Sequence, residues 1–375
     1  MRETGDIRID AVPMGAVDVD GDVRATAGGR IGVWTDERVD VYEREAFLAG
    51  PCEPVASWAP PTGARVEPAA DGGFVVAEPS RVRAVTADGA TRWELPHDPW
   101  HGGHRPPRAP GAPAPSPCGR FVAAAVPTLL PDEDRARAIL VYDDPPRYGY
   151  GQDRLLLLDA RTGAVLAERP VAAVSGAVDL EWRADGELLA ASFWTAWYSW
   201  AGYWMEPAPD ALRVLGAGGD RHQVVAFVPG SSRVVTMRRA EFMSLDDERY
   251  ELALYDAGDP SPRAGLDLDD LSWDTENDEF SHVYALDGRH LLLTADWTPR
   301  GGRPERTHWL LAADTLRPLA RLRYPCGAGD RVVPLGDGTW LTPHAGRGGA
   351  GGGGVGGRAP ALGAGRRPSG GGAGP

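Results

Sequence analysis

Along most of this chain apolar residues gather in short runs that stop at tight turns. Ile31-Trp34, Phe74-Ala77, Phe121-Val126, Leu188-Phe193, Val234-Met237, Leu291-Ala295 and Trp340-Thr342 are such runs. Runs this short, bounded by Asp-Gly, Pro-Gly and Thr-Gly pairs, predict antiparallel hairpins, and no segment sustains the 3.6-residue period of a long helix. The class expected is all-β with little helix. First residues of successive runs lie 43 to 67 positions apart. Strands of a sandwich recur every ~8–12 residues, whereas four-stranded units of ~40–50 residues with a few insertions match this interval.

The repeat therefore predicts a single β-propeller of about seven four-stranded blades, spanning residues 1–345. Each blade reads as strands A to D, with the runs above as strand B. In the third unit Arg120-Val126 is strand B, Arg154-Asp159 strand C and Ala164-Arg169 strand D. In the sixth, His282-Ala285, His290-Ala295, His308-Ala312 and Arg317-Arg323 fill the four roles. The seventh unit runs out before its strands C and D. From Gly346 to Pro375 half the residues are glycine and none is acidic, so residues 346–375 read as a disordered tail, or as GC-rich coding sequence out of frame. Deleting such a tail is expected to leave the melting temperature nearly unchanged. An early strand at Asp6-Val12 is the candidate to close the ring from outside.

Several turns resemble those of bacterial propeller repeats of the WD-repeat-like and YVTN type. Ser116-Pro117-Cys118-Gly119-Arg120 is similar to their Ser-Pro-Asp-Gly-Arg turn, with Cys118 in the aspartate position. Leu155 to Gly163 is similar to their strand C followed by an Asp-x-x-Thr-Gly turn. Arg183-Ala184-Asp185-Gly186-Glu187 and Ala285-Leu286-Asp287-Gly288-Arg289 are further copies of the first turn. The resemblance implies a fold, not an activity.

Strand parity assigns the insertions to faces. In antiparallel blades the A–B and C–D turns lie at one end and the B–C and D–A connections at the other. Pro131-Asp153, Thr195-Tyr203, Ala240-Arg249 and Pro299-Thr307 are B–C connections, and Pro96-Pro115 and Leu266-Ser281 are D–A connections. All the long insertions share one face, where binding residues concentrate on a rigid scaffold.

Charge and composition narrow the partners. The formal net charge is −14 and lysine is absent. An acidic chain is a poor match for a phosphate backbone, so no nucleic acid is expected. Absence of lysine removes a Walker A loop, a protein-kinase site and a Schiff-base enzyme. The N-terminal residues Met1 to Val23 contain no apolar run of a signal peptide or membrane span, which places the expected site of action in the cytoplasm, away from membranes. Cys52, Cys118 and Cys326 fit separate reduced thiols. A monomer without cofactor is expected.

The candidate chemistry sits in the long loops. Asp246, Asp247, Glu248, Asp274 and Glu276 belong to an acidic rim that complements a cationic peptide or basic protein. Trp197, Tyr198 and Trp200 lie in the aromatic stretch Phe193 to Met205 and can serve as platforms, while Phe193 and Trp204 are expected between blades. His97, His101 and His104 are weak metal candidates, because a Pro- and Gly-rich loop preorganises nothing. No catalytic motif stands out. The leading function is a non-enzymatic scaffold binding a protein or peptide through the acidic, aromatic long-loop face. The alternative is a propeller hydrolase or lyase acting on a sugar or small molecule through Asp, Glu and His, which a large axial pocket with converging carboxylates, histidine and arginine would favour.

Overall fold

The computed structural model describes residues 7–98, 113–128, 153–171, 178–194, 200–219, 221–238, 250–271, 278–297, 305–324, 332–342, 344–345 and 356–364. They form a β-propeller of six sheets, five of four strands and one of nine. Among them only Arg44–Ala49 is α-helical.

Blade 1 comprises Asp22–Ala25, Ile31–Trp34, Val39–Tyr42 and Ala56–Trp58, and blade 2 Arg65–Pro68, Phe74–Glu78, Arg81–Val85 and Thr91–Pro96. Blade 3 comprises Pro113–Pro115, Phe121–Val126, Arg154–Asp159 and Val165–Pro170, and blade 4 Val178–Trp182, Leu189–Trp194, Trp200–Ala208 and Ala211–Ala217. Blade 5 comprises His222–Phe227, Arg233–Arg238, Glu251–Asp256 and Pro262–Asp267, and blade 6 Asp278–Ala285, His290–Trp297, Glu305–Ala312 and Pro318–Arg323. Each is an antiparallel meander, A to D.

Six of the seven apolar runs are the second strands of these blades, and the seventh, Trp340-Thr342, falls on the strand Thr339–Leu341 of the nine-stranded sheet. These strands are covered on both faces by neighbouring blades, so their side chains are apolar without alternation: Phe121 to Val126 are all buried. The turns explain the punctuation. Asp71, Asp185 and Asp287 each accept the backbone N–H two residues on, at 3.0, 2.9 and 2.6 Å, an Asx turn that lets the chain reverse in few residues. At 116–121 the hydroxyl of Ser116 takes this part, accepting the N–H of Phe121 at 2.9 Å, which is why Cys118 is tolerated in the aspartate position.

The expected count of seven separate blades is not what the sheets show. The sixth sheet continues past blade 6 because Arg8–Asp20 pairs in parallel with Pro318–Arg323 (Arg8 opposite Arg321) and antiparallel with Gly356–Ala364. Thr339–Leu341 and then Val333–Pro334 complete the order, and the ninth strand, His344–Ala345, pairs with Gly356–Ala364 beside Thr339–Leu341. The early strand is thus longer than Asp6-Val12 and does lie on the outside of the closing strands. Part of the glycine-rich segment is also a strand: Gly356–Ala364 has a ladder on each side, and backbone pairing needs no side chains. Because it ties Arg8–Asp20 to Thr339–Leu341, removing 346–375 is now expected to lower the melting temperature by several degrees, as a thermal melt of the truncated chain will show.

Tryptophans fasten blade to blade. The indole N–H of Trp34 in blade 1 donates to Val66 O in blade 2 at 3.0 Å, and that of Trp93 in blade 2 to Ala160 O beyond strand C of blade 3 at 2.9 Å. From blade 4, Trp182 reaches back to Ala114 O at 2.7 Å and Trp204 forward to Ala257 O at 2.8 Å. Three of these rings lie over a glycine where a Cβ would not fit: Gly32 under Trp34, Gly163 against Trp93 and Gly216 against Trp204, with would-be contacts of 2.5, 2.6 and 2.2 Å. Phe193 and Trp204, placed between blades by the sequence, are both fully buried there.

Candidate functional site

Strand order bears on the face assignment directly. The turns at Asp71, Asp185 and Pro229 join strands A and B, and that at Asp88 joins C and D. The segments 127–153, 195–199, 239–250 and 298–304 join B to C, and 97–112 and 268–277 join D to A. Six long connections therefore leave the same end of the sheets, but not all do, as the sequence led us to expect: residues 43–55, which include the helix Arg44–Ala49, join C to D of blade 1 at the opposite end. Trp197, Tyr198, Asp246, Asp247, Glu248, Asp274, Glu276, His101 and His104 lie outside the described residues. Trp200 does not belong to the loop: it opens the strand Trp200–Ala208 opposite Trp194, because the hairpin closes in five residues. His97 is partly buried, its Nδ1 2.6 Å from Asp98 O, and burial lowers its pKa. Among the described residues no three His, Cys, Asp or Glu side chains converge as for a metal ion.

What the described residues do build is an axial channel of about 920 Å³, walled by the first strands of the blades. Here the usual alternation is turned toward the axis. In Val178–Trp182 the outer pair Val178 and Trp182 are buried against neighbouring strands, while Asp179 and Glu181 face channel water. Arg65 and Glu67 flank buried Val66 in the same manner, and Asp22 and Arg24 flank Val23. Blade 5 contributes Gln223, and blade 6 contributes His282 stacked on Tyr284 with centroids 5.8 Å apart.

Charged side chains line this wall on several blades. On blades 1 and 2 they are matched: Arg24 Nη2 is 2.7 Å from Asp22 Oδ2, and Arg65 Nε is 3.6 Å from Glu67 Oε1. Burial still raises the pKa of Glu67, against the lowering pull of Arg65 and Arg24. On blade 4 two carboxylates stand two residues apart. Enclosure by the ring wall, reinforced by Asp179, raises the Glu181 carboxyl to about 7, although channel water reaches it.

A second buried polar set lies off the axis. His308 is fully buried, its Nδ1 2.5 Å from Tyr324 Oη with the rings edge to face. Burial and then Arg306 lower its pKa to about 3. In blade 5 His222 Nδ1 and Thr236 Oγ1 are 2.8 Å apart, both buried. These histidines tie strands together rather than face solvent.

The channel residues were missed by sequence reasoning, which followed the second strands. A usable signal existed: polar-apolar-polar triplets such as Arg65-Val66-Glu67 and Asp179-Leu180-Glu181 shortly before an apolar run.

No protein-family model and no curated protein matches the sequence. Solved structures do. The WD40 domain of Toxoplasma gondii coronin matches with a TM-score of 0.52 at 12% identity, over 96% of this chain and 90% of that one. A chain of the mitotic checkpoint complex matches with 0.52 at 10% identity, over 93% of each. A prolyl endopeptidase matches with 0.53 at 14% identity, over 87% of this chain and 46% of the enzyme. At these identities the likeness establishes the fold alone, a β-propeller of the kind seen in WD40 domains.

Proposed function

We propose that the chain is a scaffold that binds a protein or peptide through the face carrying its B–C and D–A connections. The observation behind this reading is the likeness, over at least nine-tenths of both chains, to the WD40 domain of a coronin and to a chain of the mitotic checkpoint complex. The gathering of most of the long connections at one end, with 43–55 as the exception, supports the choice of face. Their composition, with Asp246, Asp247 and Glu248 in one and Asp274 and Glu276 in another, supports a cationic partner. With a formal charge of −14, nucleic acid is a poor candidate. We read the molecule as a cytoplasmic monomer whose strands Val333–Pro334, Thr339–Leu341, Gly356–Ala364 and Arg8–Asp20 act as a seventh blade, with N- and C-terminal segments closing the ring.

The test is affinity capture followed by mass spectrometry. Replacing Trp197 and Tyr198 with Ala should abolish recovery of a specific partner. Reversing charge at Asp246, Asp247 and Glu248 should slow association and flatten its salt dependence. Substitutions at Arg161 and Glu187, at the opposite end, should leave capture intact. Loss through those controls with normal capture by the loop variants would move the interface to the other face.

The channel favours a second reading, a hydrolase or lyase with Asp179, Glu181 and His282 at the axis. Turnover of a glycoside or ester panel that disappears in both Asp179→Asn and Glu181→Gln would establish it in place of the scaffold.

A further inference from the structure

Buried polar atoms without partners collect at one boundary of the ring. Thr294, His308, Trp340 and Thr342 are at most 1% exposed, and Thr294 Oγ1, His308 Nε2, Trp340 Nε1 and Thr342 Oγ1 have no hydrogen-bond partner among the described residues. Trp340 packs in a core with Leu286, Leu292, Leu310 and Leu322 of blade 6. Thr294 lies two residues beyond Leu292, His308 two before Leu310, and Thr342 two beyond Trp340, so alternation turns all of them toward that core. The boundaries from blade 1 to blade 5 differ chemically, because each holds an indole, of Trp34, Trp93, Trp182 or Trp204, that donates to a carbonyl of the adjacent blade. Between blades 5 and 6 the buried residues are all Ala, Val, Leu and Met. Only at blade 6 and the closing strands is a buried indole N–H among these cores left unspent, and a contact that strands polar groups is weaker for it.

On their other side the closing strands are held firmly to blade 1. Arg44, in the helix after strand C of that blade, donates to Leu335 O at 2.7 Å and pairs with Asp337. Phe47 of the same helix shares a buried core with Val17, Val333 and Leu341. Arg8–Asp20 also runs into the first strand of blade 1 through a single residue, Gly21. Toward blade 6 the polar ties among the described residues are fewer. Arg8–Asp10 pairs with Arg321–Arg323, Arg321 N donates to Ile7 O at 2.9 Å, and Gly338 N donates to Leu286 O at 3.0 Å. The ion pair of Asp10 with Arg323, at 2.8 Å, has both side chains more than half exposed and adds little.

We infer that the boundary between blade 6 and the closing strands is the seam at which the ring opens, the closing strands moving with blade 1 and Arg8–Asp10 serving as the strap across it. Ser281 to Ala285 on one side of the seam and Val332 to Gly336 on the other both line the axial channel. Parting the seam therefore opens that channel from the side. The device is independent of what the loop face binds.

Two adjacent residues make the test sharp. Val332 and Val333 are both buried, Val332 in the core toward blade 6 and Val333 in the core toward blade 1. The full chain carrying Val332→Cys or Val333→Cys is labelled with N-ethylmaleimide under native conditions, and peptide mass spectrometry reads each thiol separately from Cys52, Cys118 and Cys326. Ala124→Cys, Ala191→Cys, Ala253→Cys and Ala226→Cys report the cores between the other blades. Labelling of Val332→Cys should be about tenfold or more faster than that of Val333→Cys and of the other variants. Removing residues 1–10 should speed it further and leave Val333→Cys unchanged. Trp340→Phe, with no hydrogen bond to lose, should lower the urea midpoint by less than half as much as Trp204→Phe. Equal rates at Val332→Cys and Val333→Cys, faster labelling between any other pair of blades, or equal midpoint losses for the two tryptophan variants would overturn the seam. Should Val332→Cys melt well below the wild type, so that its labelling reports unfolding, the tryptophan comparison decides alone.

Discussion

Trp204→Ala is expected to destabilise the propeller by about 3–5 kcal/mol, among the largest effects available to one substitution. The side chain is wholly buried, sits 5.1 Å centroid to centroid from Tyr255 of the next blade, and gives its N–H to Ala257 O at 2.8 Å. Truncation removes the ring from between blades 4 and 5, and Gly216 beneath it has no side chain with which to fill the space. It also leaves a carbonyl without its donor. Trp204→Phe separates the two contributions: it keeps much of the apolar volume and loses the hydrogen bond, for an expected cost of about 1–3 kcal/mol. Denaturant unfolding followed by circular dichroism measures both. A loss below ~1 kcal/mol for the alanine variant would mean that the blades do not depend on this contact.

The same physics explains what could be read from the sequence. A strand covered on both faces must be apolar throughout, so the second strands of the six blades stood out and set the repeat. Strand C of blade 3 was located to the residue, Arg154–Asp159, because it too is buried on both sides in Leu155 to Leu158. The first strands were harder. They divide their side chains between a packed face and a wet channel, so Asp179-Leu180-Glu181 looks like loop until a ring places it. Trp200 was assigned to a loop because aromatic residues on both sides of a turn conceal where pairing begins, and register depends on the turn length. The strand Gly356–Ala364 could not be foreseen from side chains, since its order comes from the two ladders that flank it. Nor does the interval of the repeat reveal that Arg8–Asp20 joins the closing strands to blade 6.

Acid is expected to weaken the fold well above the range in which carboxylates titrate, through His308. Its pKa is held near 3 in the folded chain by burial, reinforced by Arg306, against ~6.5 when unfolded. Between those values the unfolded chain binds the extra proton, so stability falls as pH drops through 6.5 and continues to fall toward 3. From pH 7 to 5 the loss amounts to about 2 kcal/mol, at 1.36 kcal/mol per unit below 6.5. Other groups act in separable ways. Asp159, Asp185, Asp287 and Asp337 have lowered pKa values and lose their contribution only as pH falls below the ordinary aspartate range. His97 shifts in the same direction as His308, less deeply buried and on another blade. Glu181 works the opposite way, because its raised pKa makes the folded chain the better proton binder between the usual glutamate value and about 7. The informative quantity is therefore the difference between the wild type and His308→Gln across this window. Glutamine retains an amide for Tyr324 Oη, and whatever it costs at pH 7 should stay constant while the wild type loses stability. Unfolding midpoints at pH 7, 6 and 5 should converge for the two proteins as the solution is acidified. Parallel curves for wild type and variant would show that His308 takes up its proton in the folded state, and that the buried pair with Tyr324 opens before the blade does.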